Sequence, residues 1–371
     1  MRTQVKQGYV LMVVVLILTI LSMLVSSFVV RTTTYQGLTR VLDARKRAYI
    51  LAWSGLEIAR AQLAHAHDKE SQEPQDKQVD NERQQSEAPN SGSQQASADP
   101  QRVLLETLLP IINRWQTFTL REKADGIDAI IKICITCEDG KFNVNQLYNF
   151  KEKRFAFADA QAEQVSQLLQ EVLLKGQDVI KAPDNLFQSF EDFLRERGIE
   201  LNDPTELVTL KPWYIFDPLL FYQPPSSDDS QARKIYLCDL FTLWSDKKTI
   251  QPWLLSDSMR AVLDLPRVNT DQISKEQAQE WAARYKKNMN WPADWAELFE
   301  PIYQKDFNSL PKGIELLLET KFDPQVFGII CHASYRDITV RLYAIMQRSA
   351  APDSDTGKPS FEIKIKKIYW V

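Results

Sequence analysis

The most pronounced pattern in this sequence of 371 residues is one long apolar segment near its beginning. Residues 9–30 carry no charge, and only threonine and serine interrupt the apolar side chains. Arg2 and Lys6 precede the segment, and Arg31 follows it. A helix rises about 1.5 Å per residue, so about 20 residues cross the hydrocarbon core of a bilayer. Because the segment is longer than the apolar core of a secretory signal, it predicts a transmembrane anchor.

The helical pattern continues beyond this anchor. Apolar residues recur at intervals of four and three, interrupted only by Arg45, at Leu38, Leu42, Tyr49, Ala52, Leu56, Ala59 and Leu63. This spacing predicts an amphipathic continuation of the helix over residues 31–67, giving a rod of about 80 Å. The stripe is short and interrupted, so we expect it to pack against a domain rather than form a coiled-coil stalk.

Residues 68–101 have a different composition. Glutamine, serine, aspartate and glutamate dominate this segment, which has no aromatic residue and only Val79 among the branched aliphatic residues. Such a segment cannot bury enough apolar surface to offset its chain entropy. It therefore predicts a disordered loop.

Strand patterns lie on both sides of a helical middle region. Residues 103–115 predict a short helix, and residues 127–136 alternate as in a half-buried strand. Near the end of the chain, residues 327–346 predict a hairpin that turns at 334–337. A polar loop over residues 349–360 then leads into a last predicted strand.

These patterns together predict an α+β fold. A long N-terminal transmembrane helix is expected to cover the apolar face of an antiparallel sheet, and a large α-helical insertion interrupts that sheet in sequence. Residues 102–150 and 321–371 form the expected sheet-containing head. The insertion, residues 151–320, shows mainly helical spacing and includes a capping box at Ser274 and Gln277.

Composition narrows the classes of function. The net charge of −4 and the pI near 5.6 argue against a nucleic-acid partner, which usually meets a basic surface. The chain has only 11 glycines and no glycine-rich phosphate loop. Its four cysteines are too few for a disulfide scaffold in a chain of this length. Whether any of them pair in an oxidising compartment stays open.

The candidate catalytic and metal-binding groups are sparse. Cys134 and Cys137 form a C-x-x-C pair, but residues three apart on a strand point to opposite faces and do not converge on one metal. Two of the three histidines, His65 and His67, lie near the end of the long helix, where we expect them to be solvated. The third, His332, follows Cys331 on a predicted strand. These groups do not favour an enzyme.

Several short motifs carry a resemblance to one known family. Gly8 and Tyr9 before the apolar segment have the layout of a type IV prepilin leader. The further segments are 49–57 (YILAWSGLE), 138–145 (EDGKFNVN), 239–242 (DLFT) and 368–370 (IYW). In their order and spacing these motifs resemble the minor pseudopilin K family of type II secretion systems (general secretion pathway protein K).

The resemblance implies how the protein is processed and where in the cell it acts. Prepilin peptidase would remove residues 1–8 as a leader by cutting between Gly8 and Tyr9, and would methylate the new amine of Tyr9. The head would then be pilin-like and periplasmic, on a single-pass inner-membrane protein at the tip of the pseudopilus. The implied partners are other minor pseudopilins and the inner-membrane secretion platform.

Val13 stands where ordinary pilins have a glutamate, at the fifth residue after the implied cleavage point. In pilins that carboxylate is thought to meet the amine of a neighbouring subunit, since an unpaired carboxylate in lipid is costly. A tip subunit has no subunit above it, so the loss of the glutamate is consistent with the K-type role in assembly.

The resemblance also allows calcium binding, with ligands that the sequence does not identify. Residues 226–229 (SSDD) and 353–355 (DSD) offer oxygen atoms in loops, but neither has the ligand spacing of an EF-hand, so solvated loops are expected. Asn143 and Asn145 are expected to fix the turn after Gly140. Two alternatives to the pseudopilin stay open, a minor type IV pilin and a membrane-anchored periplasmic enzyme.

Overall fold

The structure is a computed structural model that describes residues 2–72, 99–180, 186–211, 213–224, 233–267, 273–352 and 359–370. It has the α+β architecture that the sequence predicts, with one long N-terminal helix, an antiparallel sheet and a mainly helical insertion. The helices are α1 Arg2–Gln72, α2 Pro100–Leu108, α3 Glu122–Asp125, α4 Val144–Leu147, α5 Asp159–Ile180, α6 Leu186–Arg197, α7 Leu237–Leu240, α8 Asp257–Val262, α9 Lys275–Ala283, α10 Ala293–Leu298 and α11 Glu300–Tyr303.

Five strands form the main sheet in the order β1-β2-β7-β8-β9, and every neighbouring pair is antiparallel. Two further pairs of two-residue strands, β3 with β6 and β4 with β5, lie outside it. The strands are β1 Trp115–Leu120, β2 Ala129–Cys137, β3 Phe142–Asn143, β4 Tyr148–Asn149, β5 Arg154–Phe155, β6 Phe241–Thr242, β7 Val326–Tyr335, β8 Ile338–Pro352 and β9 Pro359–Trp370. The insertion thus separates β1 and β2 from β7 in sequence, while β2 and β7 are neighbours in the sheet.

One face of the sheet is covered by α1. Its small and apolar side chains from Ala44 to Ala66 are buried against β2, β7, β8 and β9. Leu56 and Leu63 are fully buried, and such burial stabilises the packing by about 1.5–3 kcal/mol for each side chain. The approach is closest at Gly55, where a Cβ atom would overlap Cys331 Sγ and would lie 2.9 Å from Ile131 Cγ2. Only glycine therefore lets the helix cross the sheet at this depth.

The opposite face of the sheet is also covered, which corrects the expectation of a half-buried strand. Cys134 and Thr136 on β2 are buried, although the alternation predicts them on a solvent face. Aromatic side chains cover this second face, among them Trp115, Phe221 and Tyr222. Two of these belong to the insertion, so distant sequence decides whether the second face of β2 meets solvent.

The insertion is built from amphipathic helices around aromatic side chains. The stripe on α5 is buried as its spacing predicts, with Val165, Leu169 and Val172 among its members. The capping box is present at α9, where Ser274 Oγ accepts from the N–H of Gln277 and the Gln277 side chain accepts from the N–H of Ser274.

Several predicted boundaries are wrong. Trp115 begins strand β1 rather than ending a helix, because residues 115–120 pair with β2. Both edges of the predicted loop 68–101 are helical, since α1 continues to Gln72 and α2 begins at Pro100; residues 73–98 lie outside the described residues. The polar loop after the hairpin is shorter than predicted, because β8 reaches Pro352 and pairs there with Pro359 of β9.

Candidate functional site

The first candidate site is the part of α1 that extends beyond the head. From Tyr9 to Asp43 its side chains are exposed, apart from half-buried Thr32. The stretch Tyr9–Ala66 is long and apolar enough to cross a membrane, judged by length and composition. Its apolar side chains need a nonaqueous environment or a protein partner, because water solvates such a continuous surface poorly.

Two different faces of α1 carry apolar residues. At 100° per residue, Tyr35, Leu42, Ile50 and Trp53 lie within about 80° of one another, and they are between 43% and 69% exposed. The face that packs on the sheet, centred on Ala48 and Gly55, lies on the opposite side of the helix. We call the exposed face formed by Tyr35, Leu42, Ile50 and Trp53 the outer stripe. Lys46 is the one charged residue on this face between residues 35 and 53.

The outer stripe changes the interpretation of the predicted amphipathic pattern. Leu38 and Leu42 were expected to pack on the head together with Leu56 and Leu63, yet both are more than half exposed. The head begins to cover α1 only at Ala44. The single stripe expected from the sequence is therefore a mixture of head-packing residues and residues that remain available to a partner.

The predicted processing and assembly residues all lie in this helix. Gly8 and Tyr9 are in α1, and Val13 follows Tyr9 by about one helical turn. Tyr9 is 71% exposed and Val13 is 38% exposed. Cleavage between Gly8 and Tyr9, methylation of Tyr9 and the assembly role of Val13 stay predictions.

Aromatic contacts fix the point where α1 leaves the head. The ring of Tyr49 meets Trp370, near the end of β9, edge to face with centroids 4.6 Å apart. On the same helix the guanidinium of Arg47 lies 5.6 Å from the ring centroid of Tyr335, at the end of β7. These contacts hold α1 at two strands, so the exposed part of the helix has a defined direction relative to the sheet.

The second candidate site is a buried polar junction between the sheet and the insertion. Its centre is the ion pair of Lys141 Nζ with Glu138 Oε1, at 2.5 Å, with both side chains 1% exposed. Lys141 Nζ also donates to the carbonyl of Cys238 at 2.8 Å, and the hydroxyl of Tyr343 donates to Glu138 Oε1 at 3.0 Å. The pair thus joins β8 of the sheet to the insertion. Burial works against the charge on Lys141, but Glu138 and Asp239 outweigh it and raise its pKa.

Gly328 on β7 makes room for this ion pair. A Cβ atom there would overlap Glu138 Oε1 and would lie 2.7 Å from Thr136 Oγ1 and 3.1 Å from the hydroxyl of Tyr343. Gly328 is therefore required by a close approach of side chains.

Asp139 makes a second set of bonds across the junction. Its Oδ1 accepts from the hydroxyl of Ser245 at 2.5 Å, and its Oδ2 accepts from the N–H groups of Gln325 and Val326 at 2.6 and 3.1 Å. Burial raises the pKa of Asp139, and these hydrogen bonds oppose that rise. The carboxyl group of Asp139 thus joins the start of β7 to the turn of the insertion that contains Ser245. Ser245 lies more than 100 residues after Asp139 in sequence.

Asp239 is a further buried acid, and its hydrogen bonds join two segments of the insertion. Its Oδ2 accepts from the N–H of Ser258 at 2.8 Å, and its carbonyl accepts from the hydroxyl of Ser256. Burial raises the pKa of Asp239, while the nearby ammonium of Lys141 acts in the opposite direction. The DLFT segment, which the sequence analysis noted only for its resemblance, therefore supplies one of the buried acids.

Asn143 and Asn145 are structural, but their partners differ from the expected turn. The amide of Asn143 donates to the carbonyl of Ser245, while its Oδ1 accepts from Gln146 N at 3.3 Å and caps α4. Asn145 exchanges two hydrogen bonds with the backbone of Leu201, at 2.8 and 2.9 Å. Both side chains thus hold distant segments of the insertion, and Asn143 in addition makes a local bond in the segment that follows Gly140.

The cysteines and His332 do not form a shared site. Cys134 faces the second face of the sheet and Cys137 the α1 side, as their spacing predicts. Cys331 packs near Gly55, whereas His332 packs against Trp115 on the other face. Burial lowers the pKa of His332 to about 4, and Arg341 and Lys132 contribute to that shift.

Metal-ligand clusters are absent from the part of the chain that the structure describes. The acidic segments considered for calcium, residues 226–229 and 353–355, lie outside that part.

Sequence reasoning missed most of the junction. Residues 138–145 stand out in the sequence only for their resemblance, with a turn after Gly140, and charged residues beside a turn are usually solvated. In the structure residues 138–141 are all buried, in a 3₁₀ turn over Glu138–Gly140. The available signal was the position of these charges directly after a strongly apolar strand.

The chain is similar in structure to a protein of known structure. No protein-family profile and no curated protein sequence matches the chain. A solved structure that it resembles is the crystal structure of the GspK-GspI-GspJ complex from the enterotoxigenic Escherichia coli type 2 secretion system. The identity is 12%, the TM-score is 0.45, and the match covers 90% of this chain and 99% of the other chain.

Proposed function

We propose that this chain is a minor pseudopilin of a type II secretion system, a single-pass inner-membrane protein whose head lies in the periplasm. The observation that carries the proposal is α1, one continuous helix of 71 residues with two separate apolar faces. One face is buried against the sheet of its own head. The other, together with the apolar segment 9–30, has no partner within the described chain and is suited to lipid and to other helices.

The outer stripe supplies a specific assembly surface. Tyr35, Leu42 and Trp53 follow one another at helical spacing over about 27 Å of rise, which matches the side-by-side packing of two long helices. Partners with a similar N-terminal helix, such as other minor pseudopilins, fit this surface. Engagement with the inner-membrane secretion platform follows from the same role.

The tip position rests on Val13. A subunit in the middle of a helical fibre can pair an intramembrane carboxylate with the amine of its neighbour, and an unpaired carboxylate there is expensive. With valine at this position the chain has no such requirement, which suits a subunit with nothing above it. Processing by prepilin peptidase between Gly8 and Tyr9, with methylation of Tyr9, belongs to the same proposal.

The work of the head is binding rather than catalysis in this proposal. The buried acids Glu138, Asp139 and Asp239 are each engaged with residues of the chain itself, which is the arrangement of a structural junction. Their role is to hold the insertion rigidly on the sheet, so that partners meet a head of fixed shape.

The test replaces one exposed residue of the outer stripe. Leu42→Glu should abolish co-purification of the other minor pseudopilins and stop secretion, because it places a charge within the packing surface. Its thermal unfolding should not change, since Leu42 is 56% exposed. The matched control is Gln36→Glu, which adds the same charge at an exposed position about 100° around the helix from Tyr35.

Two results would contradict the proposal. One is normal secretion and co-purification in the Leu42→Glu strain. The other is a mature protein whose N-terminus, read by mass spectrometry, is not N-methylated Tyr9. Recovery of pilus subunits instead of secretion components would assign the chain to the alternative, a minor type IV pilin.

A further inference from the structure

A cavity of about 210 Å³ lies where the head meets the insertion. The connection between α2 and β1 forms one side of it, and residues of α8, α9 and α11 form the others. Leu109, Trp253 and Ile302 give it apolar walls. Nothing in the proposed assembly role uses this space, because the outer stripe lies on α1.

Three arginines line the cavity, Arg114, Arg260 and Arg267. Arg114 is 5% exposed, whereas Arg267 is exposed at the rim. The guanidinium of Arg260 lies 5.0 Å from the ring centroid of Tyr303, and its buried Nε has no hydrogen-bond partner among the described atoms. Of the described lining residues, none is acidic.

Asp257, an acid of α8, is engaged by an arginine that does not line the cavity. Arg233 Nη2 lies 3.3 Å from Asp257 Oδ1. Burial lowers the pKa of Arg233, Asp257 opposes that shift, and the positive charges of Arg267 and Arg260 add to it. An anion placed between Arg260 and Arg267 would be attracted to both guanidinium groups in a partly dehydrated space, where such attraction is stronger than in water.

Asn113 adds a hydrogen-bond acceptor to the cavity wall. The side chain is 6% exposed, and the residue has a positive φ of 59°. Its N–H donates to Ile135 O at 2.6 Å, and its Nδ2 donates to Leu255 O at 2.9 Å. These bonds fix the amide and leave Oδ1 buried without a partner among the described atoms. Because buried acceptors are normally satisfied, Oδ1 calls for a donor.

We propose that this cavity binds an α-carboxylate that carries an N–H group beside it. That chemistry is shared by a free amino acid and by the carboxyl-terminal residue of a polypeptide. The carboxylate is held by Arg260 and Arg267, since the planar guanidinium fork matches a carboxylate. The N–H donates to Asn113 Oδ1, and an apolar side chain packs on Trp253 and Ile302.

The size of the cavity and the acceptor disfavour anions that carry no hydrogen-bond donor. Water occupies about 30 Å³ per molecule in the liquid, so the cavity has room for about seven waters, or about one amino-acid residue. A sulfate dianion has no donor for Asn113 Oδ1 and would leave this acceptor unsatisfied.

The test is calorimetric titration of the full-length protein in detergent with small probes. N-acetyl-leucine should bind saturably, and N-acetyl-leucinamide, which has no carboxylate, should bind at least about tenfold more weakly. Tighter binding of free leucine than of N-acetyl-leucine identifies a free amino acid as the ligand, and the reverse order identifies a polypeptide carboxyl terminus. Inorganic sulfate, which has no hydrogen-bond donor, overturns the proposal if it binds as tightly as either probe.

Variants connect binding to the cavity. Arg267→Gln should weaken binding of the better probe about tenfold through the loss of one charge-assisted hydrogen bond. Because Arg267 is exposed, the Arg267→Gln variant should unfold at the same urea midpoint as the wild type. Lys287→Gln, an exposed lysine beyond the end of α9, is the matched control and should bind normally. Unchanged binding in Arg267→Gln, or no saturable binding of either carboxylate probe at millimolar concentration, overturns the proposal.

Discussion

Replacement of Lys141 by methionine tests whether the buried junction holds the insertion on the sheet. Methionine keeps the length of the side chain but removes the ammonium, so Glu138 remains 1% exposed without its cation. The carbonyl of Cys238 also loses a donor that lies 2.8 Å away. Breaking a buried pair on one side usually destabilises by about 3–5 kcal/mol. We therefore expect Lys141→Met to lower the free energy of unfolding by about 4 kcal/mol.

The assay is urea unfolding of the full-length protein in detergent, followed by tryptophan fluorescence. Three variants complete a double-mutant cycle: Lys141→Met, Glu138→Leu and the double variant. The double variant has no uncompensated charge, so its loss should be smaller than the sum of the single losses by about 3 kcal/mol. Lys312→Met, at an exposed lysine, is the control and should change stability by less than about 0.5 kcal/mol.

The same cycle can refute this reasoning. Additive losses of the two single variants, with no recovery in the double variant, would show that Lys141 and Glu138 do not act as a charged pair.

Three further outcomes are expected from the same stability assay. Gly328→Ala should destabilise by about 1–3 kcal/mol, because its Cβ would lie 2.7 Å from Thr136 Oγ1 between fixed strands. Gly55→Val should destabilise by at least as much through overlap with Cys331 Sγ, and a wild-type midpoint in urea would show that α1 packs elsewhere. His332 has a folded-state pKa of about 4 against an ordinary value near 6.5, so the unfolded chain takes up its proton first. Stability should then be complete above about pH 6.5 and fall by up to about 3 kcal/mol as the pH drops towards 4, and His332→Gln should remove this part of the pH dependence.

The architecture follows largely from local patterns in the sequence. The uncharged run 9–30 and the helical repeat after it predict α1, because a period of 3.6 residues is readable within a few turns. The hairpin of β7 and β8 is also predicted, since alternation and the turn at 334–337 are local signals. Strand β1 is missed because residues 115–120 are only half covered, and their state is decided by pairing with β2.

The candidate sites likewise combine features that the sequence determines with features that only the tertiary structure decides. The sequence by itself determined that a long apolar helix leads the chain, because the length of a charge-free run is a property of consecutive residues. Only the tertiary structure decided which apolar residues of that helix the head covers, so Leu42 remains exposed while Leu56 is buried. It also decided that Glu138 and Lys141 form a buried pair, because Tyr343 and Cys238, their other partners, lie about 100 or more residues away along the chain. Burial is a sum over such distant neighbours, and no local pattern contains it.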